Sequence, residues 1–306
     1  MQTTIGSPVV AGRSQGVDWS ALTGLAGIVA LLPAWIVSTT LLWLPFGLWG
    51  DVDYRLFVGA FFSLFILLFS RPVQRFVLMR LLGARRPTAL ERDLLLESWA
   101  PIVRGNTLER RRFVLAVVDT DSLNAFACGG HLVIVSSHAI TRLDTEKLSG
   151  VLAHELSHHL GLHTVALTIT QWMILPITIL SRAGMRLRSV AEAATIAFAR
   201  RIPLLHAAGL FVAAFLHVVS WLLMLNVSLA TSLGNAASRA TEFHADRRAA
   251  QLGFGHELLA AMREWEASTG GAPRANVWER VFASHPPIRV RINKLAAYLR
   301  TRRGAR

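Results

Sequence analysis

Apolar positions along this chain follow two patterns: long unbroken runs, and shorter periodic segments between them. Runs over residues 21–46, 56–70, 162–180 and 203–233 are nearly free of charge. About 20 apolar residues suffice for a helix to cross a bilayer, so these runs predict about four transmembrane helices. The second run is short and spans only if Tyr54 and Arg55 sit in the interface. The fourth carries His206, His217 and Asn226, read as helix-to-helix hydrogen-bonding groups, because polar side chains at membrane depth face other helices rather than lipid.

Between the second and third runs the pattern becomes that of a water-soluble region. Thr88-Ala89-Leu90-Glu91 has capping-box spacing and predicts a helix through about Val103. Residues 113–118 form a β-rich run. Residues 124–128 and 131–135 follow, separated by Gly129-Gly130, which reads as a hairpin turn. Asp144 caps a helix that continues through Leu148 and Leu152 to His158. The order helix, small antiparallel sheet, helix predicts an α+β fold of zincin type attached to the membrane helices.

Composition narrows the class. Of 306 residues, 53% are hydrophobic and 17% charged, with mean hydropathy +0.43, which indicates an integral membrane protein. The net charge of +13 is almost wholly arginine, since Lys147 and Lys294 are the only lysines. These arginines flank hydrophobic runs and no nucleic-acid-binding motif accompanies them, so the lipid bilayer is the expected partner and nucleic acid is not. A single cysteine, Cys128, excludes an intramolecular disulfide framework. The polar first 20 residues lead into an apolar run too long for a signal-peptide core, which reads as a retained anchor.

Charge also orients the chain. Arg71, Arg75, Arg80, Arg85 and Arg86 follow the second run, whereas Asp51 and Asp53 lie in the preceding connection. The first hairpin is therefore expected to have both ends in the cytoplasm of a cell membrane, with 71–159 also cytoplasmic. The connection 181–202 conflicts with this scheme: it holds Arg182, Arg186, Arg188, Arg200 and Arg201, yet a complete third span would place it outside.

The chemistry lies in His154-Glu155-Leu156-Ser157-His158. Two histidines four apart share a helix face and can reach one zinc ion, and Glu155 beside them could act as general base for a water molecule activated by that ion. His159 and His163 fall off that face and read as interfacial or surface residues. A hydrolytic zinc site needs a third protein ligand. After the fourth run, Glu242 and Asp246 lie four apart on one helical face. One carboxylate could bind the metal while the other orients a ligand imidazole, or both could be solvated partners of Arg239 and Arg247.

Taken together these stretches resemble the HtpX-like membrane zinc metalloproteases, relatives of the CAAX prenyl proteases. The likeness rests on Asn124-Ala125-Phe126-Ala127-Cys128-Gly129-Gly130, on His154–His158, on Ser238-Arg239 with Glu242 and Ala245-Asp246, and on Ser284-His285-Pro286-Pro287 with Arg291-Ile292. It covers roughly residues 94–299 and the N-terminal hairpin. Two departures are Cys128, where another small residue is common, and Arg289, where a Glu is common.

The resemblance implies one zinc ion on His154, His158 and Glu242, with Glu155 as catalytic base and Asp246 supporting a ligand. His285 and Arg291 become candidates for stabilising the oxyanion. The edge of the hairpin, through Asn124, Ala125, Phe126, Gly129 and Gly130, could align an extended polypeptide. The implied activity is endopeptidase action on misfolded or damaged membrane proteins, as in membrane quality control and stress response. The expected organisation is a polar segment 1–20, a hairpin 21–70, catalytic regions 71–160 and 236–306, and a hydrophobic pair 161–235 between them. A signal-transducing metalloprotein of BlaR type would need a large extracellular sensor, for which no segment is long enough. A zinc-holding scaffold would have no use for Glu155.

Overall fold

The apolar runs become helices, and caps and turns set the ends of the elements between them. A computed structural model describes residues 19–105, 112–161, 163–199, 201–269 and 287–304. In chain order the helices are α1 Trp19–Gly50, α2 Tyr54–Leu67, α3 Arg71–Leu81, α4 Ala89–Gly105, α5 Ser137–Arg142, α6 Thr145–Leu160, α7 His163–Ala194, α8 Pro203–Gln251, α9 Gly255–Thr269 and α10 Ile288–Gly304. The strands are β1 Ala84–Arg85, β2 Val114–Val118, β3 Ala125–Cys128 and β4 Leu132–Ser136.

The described residues fall into two compact units, one within 19–21, 67–166 and 237–304, the other within 22–66 and 167–236. In the second unit, Leu31, Trp35, Met173, Ile177, Leu223 and Ala230 form a core. Among the described residues, three helices are long and apolar enough to cross a membrane: 27–50, 164–199 and 203–232. A fourth exists if the bent pair of α2 and α3 counts as one span. Residues 181–199, expected to connect the third and fourth runs, are helical instead: α7 continues through Arg182, Arg186 and Arg188 into a π-turn ending at Ala199. Arg188 pairs with Glu192, one turn on, at 3.0 Å and meets His217 Nδ1 at 2.9 Å. Those i,i+4 and cross-helix contacts let the helix keep its charges. Asn226 Nδ2 donates to the Ala30 carbonyl (3.1 Å), as expected of a helix-to-helix bond, while the Nδ1 of His206 is buried without a hydrogen-bond partner among the described residues.

The first unit is built around a four-stranded sheet in the order β1-β2-β4-β3. The sheet is mixed, not antiparallel throughout: β3 pairs antiparallel with β4 and β1 with β2, but β2 and β4 run parallel. The cause is visible in β4. Leu132-Val133-Ile134-Val135 is buried on both faces, which suits a central position, so β4 inserts beside β2 and leaves β3 at the edge. Leu132 and Ile134 join Met79 of α3 on one face, while Val133 and Val135 join Leu152 and Leu156 of α6 on the other.

Local signals fix the helix starts. Thr88 N–H donates to Glu91 Oε2 (2.8 Å) in the capping box, and Lys147 N–H donates to Asp144 Oδ1 (2.8 Å) at the start of α6. Gly150 of α6 lets α9 approach closely, because a Cβ there would collide with the Leu258 backbone.

Candidate metal centre and active site

The Asp144 cap fixes the phase of α6, and ten and fourteen residues on, His154 and His158 project from one face. Their Nε2 atoms are 3.2 Å apart with the rings at 89°. Glu242, from the part of α8 that belongs to the same unit, closes the triangle. Its Oε2 lies 3.4 Å from His154 Nε2 and its Oε1 3.2 Å from His158 Nε2. A tetrahedral zinc with bonds of about 2.0–2.1 Å holds its donor atoms about 3.3 Å apart. Taking one donor atom from each residue, all three lie within 4.8 Å of one another, a grouping that could hold a small divalent cation between two imidazoles and a carboxylate. Exposures of 3% for His154, 6% for His158 and 1% for Glu242 exclude the solvated-face reading of the α8 carboxylates.

Asp246, one turn beyond Glu242, lies 2.9 Å from His154 Nδ1, placed to accept that N–H and so leave Nε2 for a metal. Arg291 of α10 is also buried. It donates through Nε and Nη2 to the two Asp246 oxygens at 3.0 and 2.7 Å, and its Nη1 stands 3.0 Å from Glu242 Oε2. Burial would raise the Asp246 carboxyl, but Arg291 and the His154 N–H outweigh it and hold it near 2. Burial and the Arg291 charge oppose a proton on His154, while the carboxylates of Asp246 and Glu242 overcome both and raise it. The same negative field favours a cation at the triangle. Arg291, a candidate oxyanion donor in the sequence, directs its guanidinium at these two carboxylates, and its Nη2 also lies 3.2 Å from His154 Nε2.

Glu155 is buried beside His154 and lines an apolar cavity of about 60 Å³. Leu143, Val151, Leu258, Met262 and Trp265 supply much of its wall. Asn124 and Ala125, at the start of β3, also line it. The structure does not bring the rest of the proposed substrate edge there. Phe126 alternates to the other sheet face, with Met79 and Ile134. Gly129 and Gly130 form the turn at the far end of the hairpin. Gly129 has φ +60°, so the turn favours glycine, and a Cβ there would displace the end of the Gln74 side chain of α3.

His159 is neither exposed nor interfacial. It is 8% exposed, its Nε2 meets the Leu132 carbonyl at 3.1 Å, and its ring stacks near Phe113 at 5.4 Å. Burial lowers it to about 4, so the ring is neutral and accepts or donates as a structural group. His285 lies outside the described residues, as does the side chain of His163. Arg289 meets Glu266 of α9 at 2.6 Å, giving the unusual arginine an acidic partner. Burial raises the Cys128 thiol to about 11, which makes it a poor nucleophile. Among the groups with a part here, sequence patterns flagged all three candidate ligands but not the Trp265 or Leu258 wall, whose residues carry no local signal.

Comparison with known proteins is consistent with this geometry. Residues 94–299 match the sequence profile of Peptidase family M48. The protein named Protease HtpX from Shewanella loihica is 31% identical over 198 residues, which are 60% of this chain and 67% of that one. A Protease HtpX homolog from Bacillus pumilus is 25% identical over 267 residues, covering 79% of this chain and 81% of the relative. The crystal structure of S. mikatae Ste24p superposes with a TM-score of 0.51 at 16% identity, over 91% of this chain and 66% of that chain, a likeness of fold.

Proposed function

The chain belongs to peptidase family M48 and is a membrane metalloendopeptidase, and from that premise we propose that it cleaves polypeptides with zinc on His154, His158 and Glu242 and with Glu155 as general base. The observation that carries this reading is the buried cluster of His154, His158 and Glu242, whose donor atoms lie within 4.8 Å of one another, next to the cavity that Glu155 lines. Zinc bound there would supply Lewis acidity, activating a water molecule and polarising the scissile carbonyl.

The chain's own residues do the rest. Glu155 takes the proton of the attacking water and returns it to the leaving amine. Asp246 holds the His154 tautomer, and Arg291 keeps Asp246 ionised and holds both Asp246 and Glu242 in place. The β3 backbone at Asn124 and Ala125 lies on a sheet edge and offers hydrogen bonds to an extended substrate, while the neighbouring cavity accepts a small apolar side chain. Little of this demands a particular sequence, which suits misfolded or damaged membrane proteins as substrates. The arginines after the second apolar run support a cytoplasmic site.

Detergent-purified protein should degrade casein and its own chain, and a chelator should stop it until zinc is restored. Chelator-resistant cleavage would refute the assignment.

A further inference from the structure

A second cavity, of about 930 Å³, lies between α3, α4 and β2 in the first unit. It shares no lining residue with the metal site. Its rim carries Arg71, Arg75, Arg86 and Arg92, and its floor is made by Leu95, Trp99 and Phe113 with neighbouring apolar residues. The guanidinium carbons of Arg75 and Arg86 each stand 6.0 Å from the Phe76 ring centroid. No carboxylate among the described residues pairs with Arg71, Arg75 or Arg86, whereas the nearby Arg85 is engaged by Glu91 and Asp119 and Arg92 lies 3.6 Å from Asp93. Burial, then Arg71 and Arg112, push His131 down, so the field extends behind α3.

Strong positive charge over an apolar floor fits an anionic amphiphile better than a purely polar anion. Two further observations name its source. Phe76 and Leu81 of α3 are 61% and 66% exposed, an apolar surface beside the arginines. Only three residues separate Arg71 from α2, which buries none of its apolar side chains. Four Cα steps reach at most about 15 Å, so where α2 enters a bilayer Arg71 stays near its surface.

We propose that this groove binds an anionic phospholipid, with the phosphate held by Arg71, Arg75 and Arg86 and the upper part of the acyl chains against Phe76, Leu96 and Leu115, which line the groove and are not fully buried. Arginine suits the phosphate through its forked donors. The site is independent of the peptidase reading and would exist in an inactive enzyme.

The test is native mass spectrometry of the full chain in detergent, titrated with phosphatidylglycerol or with phosphatidylcholine of the same acyl chains. The wild type should retain phosphatidylglycerol preferentially. Arg71→Gln/Arg75→Gln/Arg86→Gln should weaken that binding on the order of 100-fold, at about tenfold or less for each basic side chain. The charge-matched control Arg142→Gln/Arg263→Gln/Arg300→Gln, at exposed positions of the same unit, should not change it. Leu96→Trp, which fills the groove and keeps the arginines, should weaken it too. Equal loss in the two triple variants, no preference over phosphatidylcholine, or displacement of the lipid by inorganic phosphate or a short RNA would each overturn the proposal.

Discussion

The two units of this protein are organised inside out with respect to each other. In the unit that holds the metal centre, Leu95, Trp99, Leu148, Leu152 and Leu156 are fully enclosed, and the buried acidic groups Glu155, Glu242 and Asp246 gather with Arg291 around His154. In the other unit the large apolar side chains face outward, with Leu204 79% and Phe211 73% exposed. Its interior holds, beside the small core around Leu31 and Ile177, small and hydroxylic residues such as Ser38, Ser181, Ala213 and Ser220. Gly184 and Gly209 lie where a Cβ would collide with Ser220 and Thr195. In water, burial of apolar area drives association, so the core is apolar. In lipid that drive vanishes, and helices join through close approach and hydrogen bonds such as Ser181 Oγ to the Ser220 carbonyl at 2.9 Å. The one sequence meets two solvents.

Substitutions can break or sharpen this contrast. The largest effect is expected from Glu155→Gln, which should retain zinc in elemental analysis yet lose roughly 1,000-fold or more in peptide hydrolysis. Unchanged turnover would remove Glu155 from the mechanism. Next is a matched pair read by thermal or denaturant unfolding in detergent. Leu152→Ala, in the enclosed core, should cost about 2–5 kcal/mol, and Phe211→Ala, on the outward face, close to nothing. Equal costs would mean that Phe211 is covered by protein. Asp246→Asn should weaken zinc about 10–100-fold in competition with a chromogenic chelator, because the His154 N–H loses its anionic partner. Smallest is His159→Ala, which should cost about 1–3 kcal/mol by opening the contact with Leu132 while zinc content stays at the wild-type level. His158→Ala, one residue away, should abolish binding, so the pair separates ligand from structural histidine.

Much of this was legible along the chain. The capping box at Thr88, the Asp144 cap and the i,i+4 histidines are local devices, and each appears where its spacing placed it. Failures occurred where partners are distant. The parallel pairing of β2 with β4 depends on which strand is covered on both faces, and that coverage comes from α3 and α6. His159 looked peripheral because helical phase excludes it from the metal face, but the sheet lies on the side it does face.

The same distinction governs the site itself. Sequence alone determined that two imidazoles share one helical face beside a glutamate, and that Glu242 and Asp246 share another, since both follow from 3.6 residues per turn. It left open whether the two faces meet. Only tertiary packing decided that, by burying Glu242 against His154 and His158 and placing Arg291, 45 residues beyond Asp246, across both carboxylates. Helix periodicity reaches a few residues. Cancelling buried charge requires partners brought from far along the chain, and the low dielectric that makes such pairing necessary exists only once the core has closed.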